Sequence, residues 1–188
     1  MSRRAANRVK SHDGLGRDAI VQAAFELMEK AGFDGFNMRG LAKELGVQAP
    51  TIYWHAGDKG EIIRLMAAEI YGEAYESVAE TGDWRDWLLS FGRAFRVSLA
   101  KRKDSARICV SASQPVEDAP ARAEKITKAL VEAGLDRNTA LSRLAAIMSF
   151  TLGLACYEQS EAVRLHLEAM VDFDEVFESG LQALVRGF

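Results

Sequence analysis

Residues 36–59 read FNMRGLAKELGVQAPTIYWHAGDK, and within five positions of this stretch fall Thr51, Tyr53, Trp54 and His55. A hydroxyl, a phenol, an indole and an imidazole so close together suit phosphate oxygens and the exposed edges of bases. They contribute little to a purely structural helix end. Holding them outward calls for two short helices joined by a tight turn. That unit needs a small residue where the helices cross, a residue tolerating positive φ in the turn, and an apolar plug beneath the second helix. Ala42, Gly46 and Ile52 meet the three needs, and Leu41, Leu45 and Val47 complete the apolar side. An ordinary helical hairpin with Tyr53 and Trp54 as core aromatics shows the same spacing. Exposure of the ridge at 51–55 separates the two readings.

The remaining chain reads as helix throughout, so the fold class is all-α. Ile20, Ala23, Ala24, Leu27, Met28 and Ala31 repeat at helical spacing and Gly32 ends the run. Asp58 is positioned to cap a helix carrying Ile62, Ile63, Met66 and Ile70, extending toward Val78. Trp84, Trp87, Leu88, Phe91 and Phe95 form the next stripe, which stops near three consecutive basic residues at 101–103. A short helix is expected over 105–112. Pro115 and Pro120 bracket a loop, and a further helix ends at Gly134. Two strongly apolar helices follow, over 137–158 and from Phe173 to the end, the second with Gly180 placed for close approach.

With 188 residues, of which 48% are hydrophobic, the chain can build a real core. No run of about 18 apolar residues and no signal-peptide pattern is present, so a cytoplasmic protein without a membrane partner is expected. Net charge is −3, but it is unevenly placed. Residues 1–59 carry nine Lys and Arg against seven Asp and Glu, whereas residues 60–188 carry fifteen against twenty. The basic portion is therefore the one with the motif, as phosphate contact requires. Arg3, Arg4, Arg8 and Lys10 make residues 1–14 a basic arm. Cys109 and Cys156 lack metal-site spacing and are read as free, buried thiols, Arg107 being the basic neighbour of Cys109.

Residues 17–69, with the TIYWH run and Lys59, resemble the DNA-binding domain of the tetracycline repressor (TetR) family. More loosely, WRDWLLSFGRAFRVSLAKRKDSARI and SFTLGLACYEQ resemble the regulatory domain of its tetracycline repressor subgroup. The resemblance implies a homeodomain-like three-helix helix-turn-helix domain at 15–57 and a helical ligand-binding and dimerisation domain at 58–188. It implies operator contacts from Arg39, Ala49, Pro50, Thr51, Tyr53, Trp54, His55 and Lys59, and a homodimer on double-stranded operator DNA, built through the last two long helices. Met38 and Ala49 stand where the subgroup has a threonine and a glutamine, so a different operator sequence is implied.

For the effector, the resemblance points to Tyr75, Trp87, Phe91, Phe95, Cys109, Met148 and Tyr157. Each is equally readable as core. Tyr75, Phe91, Cys109 and Tyr157 fall where the subgroup holds drug and magnesium, and such groups do not make an oxygen-rich magnesium site. The expected effector is a small, mainly apolar or aromatic molecule other than magnesium-tetracycline, with no cofactor and no metal. An enzyme is disfavoured because His12, His55 and His166 are scattered without acid or nucleophile partners. A thiol-based redox-sensing regulator and a helical protein scaffold without DNA binding stand as alternatives.

Overall fold

Helix α1 (Arg17–Gly35) buries Ile20, Ala23, Ala24 and Met28 of the expected stripe and adds Val21 and Phe25, while Leu27 is half-buried and Ala31 exposed. Its regular course breaks at Gly32, whose φ of 70° is left-handed, and one further turn leads to Phe36. The computed structural model describes residues 16–79, 82–113, 115 and 117–188, so the basic arm expected at 1–14 lies outside the described residues. Nine more helices follow: α2 (Met38–Leu45), α3 (Ala49–Ala56), α4 (Lys59–Glu76), α5 (Trp84–Ala100), α6 (Ser105–Ser111), α7 (Ala119–Glu132), α8 (Arg137–Gln159), α9 (Glu161–Glu168) and α10 (Phe173–Gly187). Among the described residues there is no strand. The fold is all-α, with an N-terminal helix-turn-helix and a C-terminal helical domain.

Local chemistry fixes most boundaries. Asn37 Oδ1 accepts the Gly40 N–H at 2.9 Å to start α2, and Asp58 Oδ1 accepts the Glu61 N–H at 2.9 Å to start α4. Asp136 and Asp172 cap α8 and α10 in the same way. Two readings of the sequence change here. Pro120 lies in the first turn of α7 rather than closing the loop before it, a position where proline's missing N–H costs nothing. Helix α9 was not anticipated; it is eight residues long and buries none fully, and its half-buried Val163 and Leu167 make too short a stripe to betray it.

Helices α4 and α5 pack along one another, and α8 lies against α5, α6, α7 and α10. An 18-residue window of α8 reaches a mean hydropathy of 1.5, long and apolar enough to cross a membrane by composition. About a third of that window is buried in the protein's own core, through Ala140, Leu144, Ile147, Thr151, Leu154 and Ala155. Gly180 lets α10 close on α8, since a Cβ there would stand 2.5 Å from Phe150 Cζ. The α10 stripe of Phe177, Leu181 and Val185 is likewise buried within the chain.

Candidate nucleic-acid interface and effector cavity

Gly46 closes α2 in the left-handed conformation (φ 68°, ψ 29°), the geometry a Cβ would strain. Its N–H reaches the Lys43 carbonyl at 3.2 Å and the Val47 N–H reaches Ala42 at 3.0 Å, which turns the chain into α3. Ile52 and Ala56, one turn apart, press α3 down and are buried at 0% and 2% exposure, with Leu41 and Ala42 buried opposite. The ridge consequently faces out. Trp54 is 87% exposed and Tyr53 51%, Pro50 is exposed, and Ala49, Thr51 and His55 are half-buried along the flank. Core placement of the two aromatics is thereby overturned.

Arg39 is exposed on α2, with Lys43 exposed one turn later on the same helix. Lys43 escaped the sequence reading, although basic residues four apart on the first motif helix would have marked it. Lys59 is exposed at the first position of α4. Its Nζ donates to the Phe36 carbonyl at 2.8 Å and stands 5.5 Å from the Phe36 ring centroid.

In the second domain, α5 presents Trp87, Phe91 and Phe95 as a stacked column, with centroids 5.3 and 5.8 Å apart. Tyr71 stacks on Phe95 at 5.1 Å, and Tyr75 leans on Phe91 at 4.7 Å. The three α5 aromatics are 5% exposed or less. A cavity of about 380 Å³ opens at one end of this column, lined by Tyr75, Val78, Gly82, Trp87, Ala129, Glu132 and Ala133. Of the seven effector candidates, Tyr75 and Trp87 line it. Phe91 and Phe95 are buried in the column behind them, Cys109 is buried on α6, Met148 is half-buried on α8, and Tyr157 is 52% exposed. Tyr71, Glu132 and the small α7 residues went unnoticed because only the helix crossing gathers them.

The Tyr75 hydroxyl is buried without a hydrogen-bond partner, and burial raises its pKa. Cys109 accepts a hydrogen bond from the Tyr71 hydroxyl, yet burial pushes its thiol up to about 12. Cys156 is half-buried rather than buried. Arg107 acts electrostatically on Cys156, not on its sequence neighbour Cys109. No cluster of three or more His, Cys, Asp or Glu able to hold a metal occurs among the described residues.

An outward recognition helix on a buried hairpin, joined to a helical domain with its own cavity, defines a helix-turn-helix regulatory protein. Residues 20–66 match the family model described as bacterial regulatory proteins, tetR family, and residues 78–170 match the tetracyclin repressor-like C-terminal domain. The chain belongs to the TetR family of transcriptional regulators. The Escherichia coli tetracycline repressor protein class A from transposon 1721 is 32% identical to it over 195 residues, spanning 92% of this chain and 90% of that protein. TetR (class A) in complex with 5a,6-anhydrotetracycline and magnesium superposes with a TM-score of 0.72 at 31% identity, covering 92% of this chain and 97% of the other. BioQ with its double-stranded DNA operator superposes with a TM-score of 0.70 at 28% identity over the same shares.

Proposed function

We propose that this chain is a homodimeric, cytoplasmic repressor that a small effector releases from a palindromic operator. The joint exposure of Pro50, Tyr53 and Trp54 on a helix otherwise pinned by Ile52 carries the reading, because adjoining apolar groups left in water mark an interaction surface. Arg39, Ala49, Pro50, Thr51, Tyr53, Trp54 and His55 form the operator surface. Arg39 suits guanine, Thr51 a base or phosphate, and Tyr53 and His55 phosphate oxygens. Lys59, exposed at the start of α4, belongs to the same surface: one N–H braces the Phe36 carbonyl and the others suit a phosphate oxygen. The resembling BioQ complex supports the DNA partner.

Two copies place recognition helices in successive major grooves. Met148, Leu152 and Cys156 on α8 are left half-buried in the single chain, which supports a pairing face there. Effector binding at the Tyr75 and Trp87 cavity shifts α4, and operator and effector affinities then oppose each other by one coupling free energy. Apart from Glu132 the lining side chains are aromatic and aliphatic, which supports an aromatic or apolar effector and no magnesium-tetracycline site.

Selection of bound duplexes from a random DNA pool tests the reading. A recovered palindrome whose affinity falls steeply with salt is the expected result. Recovery of no sequence, or binding insensitive to salt, would overturn it.

A further inference from the structure

The connection from α5 to α6 is unusually polar and reaches away from its own domain. Asp104 adopts φ 56° and ψ 16°, the one positive φ at a non-glycine position among the described residues. A left-handed aspartate is strained, and such strain persists where surrounding contacts hold it. Its Oδ2 accepts the Phe33 N–H at 2.8 Å. That amide follows the break at Gly32, where helical bonding fails, so Asp104 satisfies a donor the α1 backbone leaves open.

Neighbouring groups repeat the contact. The Lys103 N–H donates to Glu29 Oε1 at 2.7 Å. Arg107 makes a two-pronged bond to Asp34, at 3.1 and 2.8 Å, and its guanidinium lies 4.6 Å from the Phe33 ring centroid. The corner is also fixed to the regulatory core. Gln159 of α8 accepts the Ala106 N–H at 3.1 Å and donates to Ser105 Oγ at 2.8 Å, while Cys109 on the same short helix is buried in the core. Helix α6 is only seven residues long, so a shift at its core face is passed to its first turn. Phe33, in turn, lies 6.0 Å from the Nζ of Lys59, at the foot of the helix that follows the recognition helix.

We propose that Asp104 and Arg107 are positioning residues: they strap the end of α1 to α6 and set the angle of the reading head, in addition to the packing of α6 on α4. The inference rests on the DNA-binding reading only for its operator readout. It needs no bound effector.

The test uses the full chain with two substitutions at Asp104. Asp104→Gly relaxes the φ strain but removes the acceptor, whereas Asp104→Asn tolerates the same φ and keeps an oxygen. Hydrogen exchange of the segment 32–36 should rise about tenfold in Asp104→Gly and stay near wild type in Asp104→Asn. On selected duplexes whose half-site spacing is changed by one base pair, wild type should lose about tenfold or more in affinity and Asp104→Gly less than about threefold. Arg107→Asp should relax spacing likewise, and pairing it with Asp34→Arg should restore discrimination. Unchanged exchange in Asp104→Gly, or equal behaviour of the Gly and Asn variants, overturns the strap. Exchange that rises while spacing discrimination stays at the wild-type value overturns the positioning role. Failure of wild type to select any duplex condemns the DNA reading instead, and the exchange comparison still decides the strap.

Discussion

The ammonium of Lys59 donates to the carbonyl of Phe36 across 2.8 Å, tying the first residue of α4 to the corner between α1 and α2. The bond joins positions 23 residues apart across the helix-turn-helix. Lys59→Met keeps the aliphatic stem and removes the donor. Stability should fall by about 1 kcal/mol, measured by denaturant unfolding, and the slope of log affinity against log salt should fall by about 0.9 per protomer. An unchanged slope would remove Lys59 from the operator surface.

Trp54 separates binding from stability. At 87% exposure it packs against nothing in the core. Trp54→Ala should leave unfolding within about 0.5 kcal/mol of wild type, yet weaken operator binding by about tenfold, as loss of a base or methyl contact does. Equal affinity of the two proteins for a selected duplex would remove Trp54 from the interface.

Tyr75 carries a buried hydroxyl with no partner. Its removal should therefore cost nothing, and Tyr75→Phe should hold or raise the melting temperature, by up to about 1 kcal/mol in stability. A clear loss of stability would show that the hydroxyl is bonded in solution.

Cys109 remains a thiol at neutral pH, since burial pushes its pKa up to about 12 and the thiolate is the reactive form. Treatment of the native protein with iodoacetamide, followed by mass spectrometry, should leave Cys109 unmodified, and labelling should follow only on unfolding. Mild oxidation should leave operator binding intact. Rapid labelling of Cys109 with loss of DNA binding would revive a redox-sensing role.

Glu73 accepts hydrogen bonds from Arg102 and Lys101, and these hold its carboxyl at about 2 against an ordinary value of 4.5. A depressed carboxylate contributes stability that is fully present above pH 4.5 and is lost as pH falls from there toward 2. Between those values wild type should lose stability faster than Glu73→Gln, read as converging urea midpoints. Parallel curves would assign the acid sensitivity to other carboxylates.

Much of the architecture was legible from short-range rules. Gly46 had to be left-handed because the chain must turn between Leu45 and Val47, and Asp58 had to cap because a helical stripe begins directly after it. Ile52 and Ala56, one turn apart, already dictated which side of α3 points away. Those facts depend on neighbours within a few residues. They determined the helix-turn-helix, and with it the outward Trp54.

Tertiary structure decided what no local pattern encodes. Arg107 meets Asp34, 73 positions away, and turns from Cys109 because two residues along a helix point in different directions. The α5 aromatics became a buried column with only Trp87 reaching the cavity, since α4 and α8 close over the rest. Helix spacing specifies which residues share a face, whereas the crossing of distant helices chooses their partners. That is why the sequence by itself determined the outward ridge of α3, and only the folded chain brought Asp104 to Phe33 and Lys59 to Phe36.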